Sequence, residues 1–257
     1  MNYRIGGLSY LNTRPLVYGL EDRITPGEPA RMADALRAGE LDAAIVPVAE
    51  VLRDDRYAVV DGIAIASRGP VRSVFVAHRA NVRRLKRIAV TPASRTSVWL
   101  LRVLLQQVHG IAPELYPKPP QALLCDHEAM LLIGDEALEY SLQPASPRRR
   151  IWDLGEAWQS LTGLPFVYAV WALPRKSSVE GRELSAMLRA AKAAGLAHLR
   201  ELADRPGVGT PQFRYEYLTQ NVCYDLGAAE KAGLRKFQEL CCAMGLVKET
   251  HELRFVS

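Results

Sequence analysis

Two polar segments in this sequence each follow an apolar, strand-like run and open a helix-like run. The first, residues 9–13, precedes Pro15, which suits the first turn of a helix because its missing N–H costs nothing there. The second, residues 94–97, opens a helical pattern whose apolar residues fall on one face. Ligands of open α/β sheets bind beyond the carboxyl ends of strands. Two such junctions therefore predict two sheets, each with a ligand-facing edge.

Strand and helix patterns alternate through the first two thirds of the chain. Short apolar runs at 41–47, 129–133 and 166–173 are typical of buried strands, and residues 30–38 form a helical pattern. Beyond Pro174 the composition shifts to long amphipathic helices. This order predicts an α/β fold with mostly parallel strands, arranged as two lobes with a cleft between them.

The same patterns predict where the two lobes begin and end. We expect the first lobe to comprise residues 1–87 together with the C-terminal helices, residues 174–257, and the second to comprise residues 88–173. The hinges for closure of the cleft would then lie near 83–87 and 173–176, because these segments hold few candidate core residues and can absorb backbone rotation. A chain of 257 residues is long enough for two modest domains of this kind.

Composition excludes several classes of function. The net charge of +5 mildly favours anionic ligands, but the basic residues are scattered, and the run at 148–150 is expected to be a solvated loop. No apolar stretch approaches the roughly 18 residues that span a membrane, and no secretory signal is visible. The four cysteines lack metal-ligand spacing. We therefore expect a cytoplasmic protein that binds neither nucleic acid nor a membrane.

The first candidate site is the junction at residues 9–13. Asn12 offers both a donor and an acceptor, so it can hold a substrate hydroxyl or carboxylate. Ser9 and Tyr10 lie beside it at the same strand-to-helix junction, where unpaired helical N–H groups favour anions. An ordinary capped helix remains the alternative.

The second junction holds three hydroxyls, on Ser94, Thr96 and Ser97, which is more than one helix cap uses. Both an ordinary cap and an anion cradle therefore remain open. Ser73 follows a Gly-Pro turn that enters a strand, and Asp135 directly follows a buried strand. These two residues are further candidates for binding, with a simple turn and a helix cap as their structural alternatives.

The sequence lacks the usual signatures of cofactor and metal enzymes. It contains no G-x-G-x-x-G, Walker, H-E-x-x-H or G-x-S-x-G motif, and its five histidines do not cluster. Asp126, His127 and Glu128 are consecutive, so their side chains diverge and a solvated turn is expected instead of a metal site. Glu50, after a buried strand, is expected to form a structural ion pair. No metal and no cofactor are predicted.

Six groups of motifs, in order along residues 3–173, together resemble one family. The chain is similar to the chorismate dehydratases of menaquinone biosynthesis by the futalosine pathway. The motifs are Ser9-Tyr10-Leu11-Asn12-Thr13-x-Pro15-Leu16, Gly39-Glu40-Leu41-Asp42, Gly69-Pro70-Val71-Arg72-Ser73, Thr91-Pro92-Ala93-Ser94-x-Thr96-Ser97, Gly134-Asp135-x-Ala137-Leu138, and Asp153-Leu154-Gly155-Glu156-Ala157-Trp158 running into Thr162-Gly163-Leu164-Pro165-Phe166-Val167-Tyr168-Ala169.

The resemblance implies a fold, a reaction and a set of site residues. The fold would be two-lobed, like type II periplasmic solute-binding proteins, with a cleft between the lobes. The protein would be a carbon–oxygen hydro-lyase that removes water from the dianion chorismate, without a cofactor, and forms 3-[(1-carboxyvinyl)oxy]benzoate. Tyr168 would join Ser9, Tyr10, Asn12 and the second-lobe residues in binding substrate. Asn12 would be catalytic, whereas Arg14 is not part of the family motif.

This reaction suits a site made of hydroxyls and amides. Loss of the ring hydroxyl and a neighbouring proton makes the ring aromatic, so the enzyme needs to hold two carboxylates, assist the departing hydroxide and position a base. A substrate carboxylate is one base that would serve. Two alternatives remain: the 1,4-dihydroxy-6-naphthoate synthase of the same pathway, and a non-catalytic binding module for a small anionic solute. The proton carrier and the oligomeric state are left open.

Overall fold

The computed structural model describes residues 3–118, 127–144, 150–175 and 178–257. Asp126, most of the basic run at 148–150, and residue 176 of one predicted hinge lie outside these residues. The strands, in chain order, are β1 (Ile5–Leu8), β2 (Ile24–Gly27), β3 (Ala43–Pro47), β4 (Tyr57–Ser67), β5 (Val74–His78), β6 (Arg87–Val90), β7 (Glu114–Pro117), β8 (Ala129–Ile133), β9 (Arg150–Asp153), β10 (Phe166–Pro174) and β11 (Arg254–Val256).

The described strands form two sheets. The first has six strands in the order β11-β4-β10-β3-β1-β2, and the second has five in the order β7-β6-β8-β5-β9. Every residue of β3, β5 and β8 is buried, as expected for short apolar strands covered on both faces. The predicted two-sheet α/β architecture is therefore confirmed.

The strands are less uniformly parallel than expected. Strands β5 and β10 each run antiparallel to both of their neighbours, while the other described pairings are parallel. The reason is the route of the chain. It leaves the first sheet after β4 and returns beside it as β10, so these two strands run in opposite directions. Strands β5 and β9, which enter and leave the second sheet, are related in the same way.

Sheet membership places the crossings between the lobes differently from the prediction. Strand β5 belongs to the second sheet although it precedes residue 88, and β10 belongs to the first although it lies before residue 174. The chain therefore crosses at residues 68–73 and 163–165. The expected crossing at 83–87 joins two strands of the same sheet, because it connects β5 to β6.

The helices begin and end where local chemistry directs them. Ser94 caps α3 by accepting a hydrogen bond from the Ser97 N–H, and α5 ends at Gly163, whose φ of 69° suits a left-handed cap. The helices are α1 (Pro29–Ala38), α2 (Val48–Arg53), α3 (Arg95–Leu104), α4 (Gly134–Leu142), α5 (Leu154–Thr162), α6 (Ser178–Ala197), α7 (Leu199–Asp204), α8 (Pro211–Glu216) and α9 (Ala228–Ala243). Among the described residues, no helix is long and apolar enough to cross a membrane.

Candidate functional site

A small cavity lies between the two sheets, where β1 and β3 of the first and β8 of the second end. Its volume is about 60 Å³. Both lobes contribute to its lining, which consists of apolar side chains, hydroxyls and one amide: Leu8, Tyr10, Asn12, Pro29, Pro47, Ile65, Val71, Ser73, Val74, Ser94, Ser97, Ile133, Gly134, Tyr168 and Ala169. Six of the nine predicted site residues therefore meet at one place.

The first junction supplies Tyr10 and Asn12. Residues Leu11–Leu16 form a 3₁₀ helix, which projects Asn12 inward so that only 9% of the residue is exposed. The Tyr10 ring lies against Gly134 of the second lobe, and its nearest carbons are 2.8 Å from where a Cβ on that glycine would stand. Gly134 has a φ of +58°, so it meets both the backbone and the packing requirement of this contact.

Asn12 belongs to a buried hydrogen-bond chain. Its Nδ2 donates to the Tyr217 hydroxyl at 3.2 Å, and that hydroxyl donates to Ser73 Oγ at 2.8 Å. Tyr217 is 1% exposed and lies on a π-helical turn, Tyr217–Asn221, in the C-terminal part of the chain. Sequence reasoning missed this residue, because its role depends on tertiary contacts with residues more than 140 positions away.

The second junction supplies Ser94 and Ser97 but not Thr96. Ser94 Oγ donates to Ser97 Oγ at 2.8 Å, and both residues line the cavity. Thr96 points away from it: its Oγ1 accepts a hydrogen bond from the Ala49 N–H at 3.0 Å and so joins α3 to α2. The prediction that Thr96 lines the binding site is corrected, because successive helix residues face different directions.

Ser9 and Asp135 also lie outside the cavity lining. Ser9 is exposed, because it directly follows β1 where the chain turns toward solvent. Asp135 is half-buried and accepts a hydrogen bond from the Leu11 N–H at 3.0 Å, so it connects α4 to the first junction. Burial raises the pKa of this carboxyl group. Its position supports the site instead of lining it.

The turn that carries Ser73 is held by a half-buried carboxylate. Arg72 has a φ of 61°, which is unusual for a residue with a side chain. Asp153 accepts from the N–H groups of Val71 at 3.1 Å and Arg72 at 2.8 Å, and it also caps α5. This strained turn is thus stabilised from a neighbouring strand and places Ser73 beside the cavity.

Tyr168 lines the cavity from β10. Its hydroxyl lies 3.1 Å from Ser67 Oγ, and burial raises its pKa well above the usual value. A Cβ on Gly155 would stand 2.7 Å from the Tyr168 oxygen and 2.5 Å from a backbone carbonyl, so a glycine is needed for α5 to approach. Burial likewise raises the pKa of Tyr10, to about 12. Both phenols are therefore neutral at ordinary pH.

Two charged residues noted in the sequence have structural contacts. Glu50 is 1% exposed and forms ion pairs with Arg37 and, at 3.1 Å, with Arg95 of the second lobe, which confirms the expected structural pairing. The Arg14 guanidinium donates to backbone carbonyls, including that of Pro206 at 2.6 Å. Arg14 therefore ties the first junction to the C-terminal helices.

The chemistry available in the cavity is that of neutral hydrogen-bond donors. Its lining, among the described residues, contains no carboxylate, imidazole, ammonium or guanidinium group. The same part of the chain contains no group of three or more His, Cys, Asp or Glu that could hold a metal ion. Ser94, Ser97 and Gly134 stand at the N-termini of α3 and α4, where helix dipoles favour anions. The site is thus suited to a small anion.

Comparison with solved structures defines the class of fold. The chain superposes on a protein from Archaeoglobus fulgidus with a TM-score of 0.76 at 18% identity, covering 95% of this chain and 98% of that one. It superposes on the periplasmic aliphatic sulphonate binding protein of Escherichia coli with a TM-score of 0.68 at 17% identity, covering 96% and 94%. The molecule therefore has the two-lobed fold of periplasmic binding proteins, as predicted.

Sequence comparison identifies the family within this class of fold. The family model described as menaquinone biosynthesis matches residues 3–243, so the chain belongs to that family. It is 31% identical to the chorismate dehydratase of Thermus thermophilus, over 95% of this chain and 96% of the relative. It is 25% identical to the chorismate dehydratase of Campylobacter jejuni, over 94% and 98%. The family resemblance seen in the motifs is confirmed.

Proposed function

We propose that this protein is a chorismate dehydratase, a carbon–oxygen hydro-lyase that forms 3-[(1-carboxyvinyl)oxy]benzoate. The observation that carries the proposal is a cavity between two lobes lined by neutral donors, in a chain that belongs to the menaquinone biosynthesis family. Two relatives that align along almost their whole length bear this name. We further propose that the reaction belongs to the futalosine pathway.

Substrate carboxylates would be held without a positively charged side chain. The N-termini of α3 and α4 face the cavity from one lobe, and Asn12 faces it from the other. Ser94 donates its hydroxyl proton to Ser97 Oγ, so the Ser97 hydroxyl is the donor left for the substrate at the α3 terminus. Hydrogen bonds of this kind to an ionised acceptor are about twice as strong as neutral ones. They also fix the orientation of the ring, which brings the reacting groups together.

The base that removes the ring proton is assigned to the substrate itself. No described lining residue is a base of suitable pKa, since Tyr10 and Tyr168 are both held neutral by burial. A carboxylate of chorismate is therefore the base that takes the ring proton. Asn12 and Ser73 donate to the departing hydroxyl, where negative charge develops, and such interactions accelerate the step because they strengthen in the transition state.

Catalysis would require the lobes to open and close. A cavity of about 60 Å³ is far smaller than the roughly 300–1,000 Å³ typical of ligand sites. The Leu11–Asp135 and Ala49–Thr96 hydrogen bonds join the two lobes in this arrangement. Chorismate therefore enters an open form, and closure about residues 68–73 and 163–165 excludes water from the reaction.

We also propose that the protein works in the cytoplasm. The described cysteines, Cys223, Cys241 and Cys242, are free thiols, and burial raises the pKa of the Cys241 thiol to about 12. Unpaired thiols with little thiolate character fit a reducing compartment.

The proposed function is tested by incubating the purified protein with chorismate and separating the products by chromatography. The benzoate product is expected with the wild-type protein and not with heat-denatured protein. Binding of chorismate without any product would instead favour a solute-binding module, a role to which the fold is equally suited. Turnover of a later intermediate with no action on chorismate would favour the naphthoate synthase.

A further inference from the structure

Tyr217 has the contacts of a residue that acts on the site without touching the ligand. It does not line the cavity, yet its hydroxyl lies between two residues that do, Asn12 and Ser73. Tyr217 is buried, and no described residue other than these two hydrogen-bonds to its hydroxyl. These two hydrogen bonds therefore determine which groups of Asn12 and Ser73 remain free to donate to a ligand.

The direction of the chain follows from the chemistry of its members. Asn12 Nδ2 can only donate, so the Tyr217 oxygen accepts that bond. The single Tyr217 proton then has one remaining acceptor, Ser73 Oγ, at 2.8 Å. Because Ser73 Oγ accepts from Tyr217 and the Ser73 side chain makes no other hydrogen bond with a described residue, its own hydroxyl proton is available to a ligand in the cavity. The Asn12 amide is fixed in the same way, and its second N–H has no partner among the described residues.

The surroundings of Tyr217 hold it in this place. Asn221, on the same π-helical turn, donates to the Pro70 carbonyl at 3.0 Å, and Phe213 of α8 lies beneath the Arg72 guanidinium, 4.9 Å from its carbon to the ring centre. Both contacts are with the strained turn that carries Ser73. The π-helical turn inserts one extra residue into the helix, and such turns occur frequently at functional sites.

We propose that Tyr217 is a positioning residue that makes Ser73 and Asn12 hydrogen-bond donors toward the substrate. Each bond in such a chain polarises the next, so the Ser73 proton is a stronger donor than an isolated hydroxyl. The proposal rests on the proposed function for its kinetic consequence, but the hydrogen-bond chain itself exists without substrate.

The kinetic test compares Tyr217→Phe with Tyr224→Phe. Tyr224 is also a buried tyrosine, but its hydroxyl has no hydrogen-bond partner among the described residues, so it is a matched control. We expect Tyr217→Phe to lower kcat/KM about ten-fold and Tyr224→Phe to leave it unchanged. In a Ser73→Ala background, Tyr217→Phe should lower kcat/KM by a smaller factor than in the wild-type protein, because one of the two residues it acts through is gone. An equal fall in both backgrounds, or no fall in the first, overturns the proposal.

A second test needs no turnover. The side-chain amide resonance of Asn12 is identified as the ¹H–¹⁵N signal missing from Asn12→Ala. It should shift in Tyr217→Phe and in Ser73→Ala, since the hydrogen bonds among the described residues connect Ser73 to Asn12 through Tyr217, and not in Tyr224→Phe. An unmoved signal in Ser73→Ala refutes the chain even if Tyr217→Phe does not fold. If the signals shift as expected but chorismate is not consumed, the proposed function fails and the hydrogen-bond chain stands.

Discussion

The contact between Tyr10 and Gly134 offers a direct test of how the two lobes form the site. We expect Gly134→Ala to be costly for two separable reasons. An alanine at a φ of +58° adopts the left-handed conformation, which costs roughly 1–2 kcal/mol. Its methyl group would also stand 2.8 Å from two carbons of the Tyr10 ring, so the ring must move by at least about 0.6 Å to reach ordinary contact at 3.4 Å. Overpacking of this kind costs about 1–3 kcal/mol.

Gly163→Ala provides the matched control. Gly163 has a φ of +69°, but no atom lies within 4 Å of the position that its Cβ would take. Gly163→Ala therefore carries only the free-energy cost of the left-handed backbone conformation. Urea denaturation should give a loss of about 1–2 kcal/mol for Gly163→Ala and about 2–5 kcal/mol for Gly134→Ala. Since Tyr10 lines a cavity of only about 60 Å³, Gly134→Ala should also lower kcat/KM for chorismate, whereas Gly163→Ala should not.

If the two variants lose the same free energy of unfolding and both keep the wild-type kcat/KM, Tyr10 does not pack on Gly134 in the active protein. The two lobes would then meet differently when substrate is turned over.

Four further outcomes are expected. Asn12→Ala should lower turnover of chorismate by a factor on the order of 100 with folding intact by circular dichroism, and near-normal turnover would exclude its catalytic role. Thr96→Val should reduce the unfolding free energy by about 1–3 kcal/mol in denaturant titrations, because the buried Ala49 N–H loses its partner, while a raised KM would return Thr96 to the binding site. The plot of kcat/KM against pH should be level from about 6 to 9, since burial keeps Tyr10 neutral to about 12, and should fall toward about 4 as the substrate carboxylates gain protons; an inflection near neutral pH would reveal a protein base. Small-angle scattering should show the radius of gyration decrease when product is added, and a constant radius would contradict closure of the cleft.

Local patterns in the sequence were sufficient to predict most of the architecture. Apolar runs bounded by turn residues predicted β3, β8 and β10, and the polar junctions at 9–13 and 94–97 lie at the edge where the sheets meet. Strand membership was harder to predict. Strands β5 and β10 have the same apolar character in either sheet, so only the pairing itself decides to which lobe each belongs.

The errors at the site have the same origin. Hydroxyls at a helix start can be recognised in sequence, but whether Thr96 faces the ligand or the Ala49 N–H depends on how α2 packs against α3. Tyr217 could not be found, because the residues around it carry no motif and its partners are distant in sequence. A π-helical turn leaves no signal in hydrophobic periodicity that distinguishes it from an ordinary helix.

The order of strands along the chain has a consequence for synthesis on the ribosome. All five strands of the second sheet lie in one continuous stretch, residues 74–153, whereas the first sheet needs β10 and β11, which follow that stretch in the chain. The second lobe can therefore fold before β10 and β11, the neighbours of β4 on its two sides, have been synthesised. Strand β4 has eleven residues and is largely apolar, and until then both of its edges are unpaired. Exposed edges of this kind favour aggregation. Newly made chains should thus be most vulnerable after the second lobe has formed and before β10 has emerged.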